Sequence, residues 1–125
     1  MIAWIILAHL VGDYLLQTDW MAQEKTKRWL PAILHGLAYT LPFLLITTSP
    51  WALLVIGGTH IVIDRYRLAK HVVWFKNQLQ PKRYRPGHTP TGMLEETPDW
   101  LAYWLLFIQD NIIHILINVL AVVYL

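Results

Sequence analysis

The chain of 125 residues contains no cysteine, which excludes disulfides and thiolate metal ligands and leaves only nitrogen and oxygen donors for any metal. Charge is scarce as well: 14% of residues are Asp, Glu, Lys or Arg, 56% are hydrophobic, and the net charge is +2. That balance is unusual for a small soluble domain, and so small a positive excess gives no nucleic-acid footprint. Basic residues are missing from most of the length, since all ten lie in Lys25–Arg28 and Arg65–Arg85. None precedes the first apolar run, which His9 and Asp13 interrupt, so this run lacks the layout of a cleaved signal peptide and reads as retained. Repeats of 20 to 50 residues are absent too, which excludes a solenoid.

What is present is apolar length. Four stretches approach the roughly 20 residues of a membrane span, and they predict helices over about 2–20, 30–48, 51–77 and 99–124. The expectation is an all-α, integral membrane four-helix bundle forming a single transmembrane domain. Both basic segments belong inside by the positive-inside rule, which puts both termini and the turn around Ser49 outside. Trp20, Trp29, Trp74 and Trp100 then fall near the inner boundary, and Trp4 and Trp51 near the outer one. Pro42 should kink the second helix. The stretch 78–98, with four prolines between Pro81 and Pro98, reads as a cytoplasmic loop. The expected location is a bacterial cytoplasmic (inner) membrane, multi-pass, with the lipid bilayer as partner.

Polar residues recur inside these apolar stretches at one spacing: His9 and Asp13, His60 and Asp64, Asp110 and His114, each pair four apart, with His35 alone on the second helix. Residues four apart share a helix face and can offer two ligands to one metal. In the antiparallel topology every histidine is the deeper member and every aspartate the more cytoplasmic one, in layers roughly 6 Å apart. Three unpaired aspartates near helix centres would cost about 8–10 kcal/mol, and a bound divalent ion supplies on the order of 10 kcal/mol. His9, Asp13, His35, His60, Asp64, Asp110 and His114 are therefore the candidate metal ligands. Seven ligands exceed one tetrahedral site and suit one or two divalent ions with a bridging carboxylate; zinc, manganese and iron all accept such donors. For any single histidine, helix-to-helix hydrogen bonding or a proton relay is the plainer use.

Asp13 and Asp64, nearest the cytoplasmic mouth, are the candidate catalytic carboxylates. Gln17 continues the His9 and Asp13 face, and Arg65 and Arg67 follow Asp64, so these three are candidates for holding a substrate phosphate. Lys25, Lys27, Arg28 and Lys82–Arg85 read first as topology and headgroup contacts. Gly12, Gly36, Gly57 and Gly58 lie beside the polar positions and would let helices approach closely. His71 and His88 fall outside the layers.

The segments "HLVGDYLLQTDW", "HG" at His35, "HIVID" at His60–Asp64 and "QDNIIH" at Gln109–His114 together resemble the small membrane proteins grouped as domain of unknown function 3307, of bacteria and their phages. That family's pattern runs H-x-x-G-D-x-x-x-Q, H-G, H-x-x-x-D and D-Q-x-x-H, and this chain departs from it at Asn111. The layout is similar to that of the LexA-regulated membrane-bound metal-dependent hydrolases and, more remotely, to zinc-dependent phospholipase C. By analogy, the resemblance implies phosphoester hydrolysis. The expected function is thus a membrane-embedded, metal-dependent hydrolase acting from the cytoplasmic side on a phosphoester, lipid or lipid-linked. The alternatives are a transporter or sensor of metal ions or protons, and a structural protein with a non-catalytic metal or polar core.

Overall fold

A computed structural model describes residues 1–125. It contains six α-helices: α1 (Ile2–Leu10), α2 (Asp19–Glu24), α3 (Trp29–Thr40), α4 (Pro50–Tyr66), α5 (Leu68–Gln78) and α6 (Asp99–Tyr124). The chain divides into two compact units, Met1–Tyr66 with His114–Leu125, and Arg67–Ile113.

The four-helix membrane bundle is not what these residues form. Only α6, at 26 residues, is both long and apolar enough to cross a membrane; the other apolar helices are shorter, Ile2–Leu15 and Trp29–Leu45 among them. Each long run is broken for a local reason. After α1 the backbone widens into a π turn over Val11–Leu15, and Thr18 then starts a new helix by accepting a hydrogen bond from Met21 N at 3.3 Å, a standard N-cap. Pro42 has no N–H to continue α3, so Leu41–Leu45 tightens into a 3-10 turn. Arg67 adopts a left-handed conformation at φ 52°, which ends α4 and separates it from α5. With the four spans go the orientation built on them, both termini outside, and the cytoplasmic assignment of the loop. A multi-pass location has no support here; one long apolar helix is weak evidence for a membrane.

The first unit packs α1, α3, α4 and the end of α6 around Ile5, Ala8, Tyr39, Phe43, Ala52, Ile56 and Ala121. Close approach is made possible by three glycines, Gly57 among them, whose added Cβ would lie 2.5 Å from Thr40 Oγ1. A Cβ on Gly12 would lie 2.8 Å from the Tyr39 carbonyl oxygen, and one on Gly36 would lie 2.1 Å from Ile61 Cγ1. Gly58 has open space around it, so close packing does not explain that residue. Ser49 caps α4 from outside, its hydroxyl 3.4 Å from Ala52 N, and Pro50 takes the first helical position, where its missing N–H costs nothing.

The second unit has a small core of Val73, Met93 and Ala102. Residues 79–98 hold no α-helix. They are fixed instead by side chains from α5: Asn77 Nδ2 donates to the Gly92 carbonyl at 2.9 Å, Gln78 Nε2 to that of Pro86 at 3.0 Å and Trp74 Nε1 to that of Gly87 at 3.1 Å.

Candidate metal centre

Four donors from three elements converge in the first unit. Asp13 comes from the π turn, His35 from α3, and His60 and Asp64 from one face of α4. The π turn, with its Leu16 N to Val11 O bond of 3.0 Å, is a distortion that often marks functional positions. His35 and His60 are buried, and the side chains of Asp13 and Asp64 are only 9% and 7% exposed.

The donor atoms stand at ligating separations. His35 Nε2 lies 2.9 Å from His60 Nε2, 3.2 Å from Asp13 Oδ1 and 3.3 Å from Asp64 Oδ2. His60 Nε2 lies 3.3 Å from Asp64 Oδ2 and 3.7 Å from Asp13 Oδ1. A tetrahedral ion with bonds of about 2.0–2.1 Å requires donor-to-donor edges of about 3.3–3.4 Å. These edges bracket that value, so the residues fit a tetrahedral divalent ion, and the buried set can hold one.

Asp64 divides its two oxygens. Oδ2 faces His35, His60 and the Lys25 ammonium, the last at 2.5 Å, while Oδ1 lies 3.2 Å from His114 Nε2. Burial alone would raise this carboxyl, but His60, His114, His35 and Lys25 outweigh it and hold Asp64 well below the ordinary carboxylate range. Burial likewise works against the Asp13 carboxylate and is outweighed by His35, His60 and Lys25, so its pKa is also lowered. Burial depresses the His60 imidazole to about 3, leaving it neutral, the form that ligates metals.

The remaining predicted ligands take different places. His9 is fully buried, with Nδ1 2.8 Å from the Tyr39 hydroxyl and Nε2 4.0 Å from Asp13 Oδ2. It therefore stands behind Asp13 rather than among the four converging donors. His114 packs its ring 4.4 Å from that of His60. Asp110 lies one turn before His114 on α6, in the second unit.

Of the residues expected to hold substrate, Gln17 is near the centre, its Oε1 accepting from Lys25 Nζ at 2.7 Å. Arg65 is turned away. Its guanidinium donates to the carbonyls of Thr26 and Lys27 and lies over the rings of Trp29 and Tyr66, at 5.3 and 5.6 Å. Arg67 is exposed at the start of the second unit.

Three residues at the centre were not singled out by the sequence reading. Tyr39 stacks on His60, with centroids 3.6 Å apart and planes within 8°, and its hydroxyl accepts from Asn118 Nδ2 at 2.6 Å. Both carried a signal, because Tyr39 follows His35 by four residues and Asn118 follows His114 by four. Lys25 carried none: it follows α2, in a basic cluster that topology alone explained.

The family described as a protein of unknown function, DUF3307, matches residues 1–125, and the chain belongs to that family. No curated protein and no solved structure matches the chain.

Proposed function

We propose that this protein is a metal-dependent hydrolase of phosphoesters, lipid or lipid-linked phosphates in particular. The observation that carries this reading is the near-tetrahedral spacing of Asp13, His35, His60 and Asp64 donors, at 2.9 to 3.7 Å. A divalent ion held by such donors supplies Lewis acidity toward a phosphoryl oxygen and a nucleophilic water near neutral pH. Asp64, engaged through both oxygens, serves as the fixed ligand. Asp13 makes the longest of the five edges that involve a histidine, 3.7 Å to His60, and is the carboxylate best placed to loosen and accept the proton of the attacking water. Gln17 reaches the centre through its bond with Lys25 and would orient the substrate. The first unit also carries an open apolar groove of about 600 Å³, lined by Trp4, Leu7, Val11, Pro42 and Leu45 among others; of these only Val11, two residues before Asp13, is next to the centre in sequence.

Four protein donors also describe a closed structural zinc site, and that observation favours a second reading, a metal that stabilises the fold without catalysis. One experiment separates the two. Purified protein is analysed for zinc, manganese and iron per chain beside His60→Ala, then screened against aryl phosphoesters and phospholipids before and after chelation. Hydrolysis lost on chelation and restored by metal supports the enzyme. Bound metal with no turnover of any substrate selects the structural reading, and absence of metal from the wild type sinks both. Two ions per chain would assign a second one to the side of Asp64 that faces His114.

A further inference from the structure

We infer that the Lys25 side chain is the resident cation of this centre, and that a divalent ion loads by taking its place beside Asp64. This rests on the metal-binding part of the proposed function.

Lys25 reaches 39 residues along the chain to Asp64, and its ammonium lies 2.5 Å from Asp64 Oδ2, 2.7 Å from Gln17 Oε1 and 3.4 Å from His35 Nε2. Its side chain is only 17% exposed, so its charge is directed inward. Two buried carboxylates side by side need a counter-charge. Arg65 does not supply it, because its guanidinium is turned to the carbonyls of Thr26 and Lys27.

Ammonium and metal compete for one oxygen. An ion bonded to Asp64 Oδ2 at about 2.0–2.2 Å lies within about 5 Å of an ammonium that is itself 2.5 Å from that oxygen. At that range, in a mostly buried site, the two positive charges repel. His35 Nε2 sharpens the conflict, since it faces both the ammonium at 3.4 Å and the other donors.

The backbone is not free to relieve it. Arg65 holds the carbonyls of Thr26 and Lys27, just after Lys25, and Lys25 N is bonded to Met21 O at 2.9 Å. The exchange is therefore a swing of the four-carbon stem. While the lysine is in place it balances one of the two carboxylate charges, and a monovalent ion that displaced it would gain nothing; a divalent ion balances both.

The test is zinc and manganese affinity, measured by competition with a chromophoric chelator, for the wild type, Lys25→Met and Lys25→Arg, with circular dichroism as the check on folding. Lys25→Met is expected to bind at least tenfold more tightly than wild type, and Lys25→Arg no more tightly. A methionine variant that folds and binds with equal or lower affinity, while wild type binds metal, overturns the inference and leaves the proposed function standing. Metal bound by Lys25→Met but not by wild type overturns the exchange, because the ion then never displaces the lysine in the native chain; no binding by either defeats this inference and the proposed metal centre together. A second measurement needs no variant. In wild type, zinc should raise acylation of the Lys25 amine several-fold by mass spectrometry, with exposed Lys27 as the internal reference, and unchanged labelling in zinc-loaded protein counts against the exchange.

Discussion

The two units of this chain use polar side chains in opposite ways. In Met1–Tyr66 with His114–Leu125, they point at one another in the interior: His9, His35, His60, His114 and Asn118 are buried, and Asp64 alone faces three histidines and a lysine. In Arg67–Ile113, they point at backbone, with Asn77, Gln78 and Trp74 donating to loop carbonyls and Thr89 Oγ1 to that of Met93 at 2.7 Å. Polar groups satisfied by backbone hold a shape. Polar groups gathered around shared donors hold charge as well, which is costly unless a cation completes the set. The four converging donors lie in the first unit, and the loop-holding polar groups of the second, Asn77, Gln78, Trp74 and Thr89, are expected to be replaceable without loss of metal.

The sharpest way to break this contrast is Asp64→Asn. The amide keeps the shape but removes the charge, leaving the Lys25 ammonium with a neutral partner in a site where it is mostly buried. Breaking a buried pair in this way costs about 3–5 kcal/mol. Denaturant unfolding without metal should show that loss, and bound metal per chain should fall toward zero. Retained stability would mean that Lys25 has another acceptor of equal strength.

Gly12→Ala should come next. The added Cβ would meet Tyr39 backbone oxygen at 2.8 Å and Tyr39 Cδ2 at 2.9 Å, so α3 must shift, at about 1–3 kcal/mol. Because Tyr39 stacks on His60, metal affinity should fall along with stability. Val73→Ala in the second unit provides the counterpart. Truncating this fully buried side chain should cost about 2 kcal/mol while metal per folded chain stays at the wild-type value. If its metal content also drops, the division of labour between the units is wrong.

Tyr39→Phe is milder. It removes the hydroxyl that bonds His9 Nδ1 and Asn118 Nδ2 and should cost about 1–2 kcal/mol. The ring that packs on His60 remains, so metal affinity should weaken by about tenfold rather than vanish.

Legibility in the sequence followed the same line. A four-residue spacing is a property of one helix, so His60 with Asp64 is legible directly, and His35 with Tyr39 shares the same spacing. Convergence between helices was reached only through an assumed membrane topology, and that route was unsound. Apolar patterning takes α4 and α5 for one helix because nothing in "DRYRLAKH" announces a left-handed Arg67, and takes 2–20 for one helix although "QTDW" contains a capping threonine. Apolar runs reported burial and surface greasiness without fixing where the helices stop. Lys25 was out of reach for a different reason: its partners are 8, 10 and 39 residues away, and no periodicity links them.

The smallest expected effect closes the comparison, because it repeats the chemical change made at Asp64. Glu95 is an exposed carboxylate of the second unit, and its Oε1 accepts from Gly87 N at 3.0 Å. Glu95→Gln also exchanges a carboxylate for an amide, but the amide oxygen can take over the one hydrogen bond, and no buried cation loses its partner. Water screens whatever charge is removed. The loss should stay within about 0.5 kcal/mol, with metal content unchanged. Measured side by side with Asp64→Asn, the same loss of one negative charge should be nearly silent in one unit and disabling in the other, and a Glu95→Gln protein that loses metal would show that the second unit, too, carries charge for the centre.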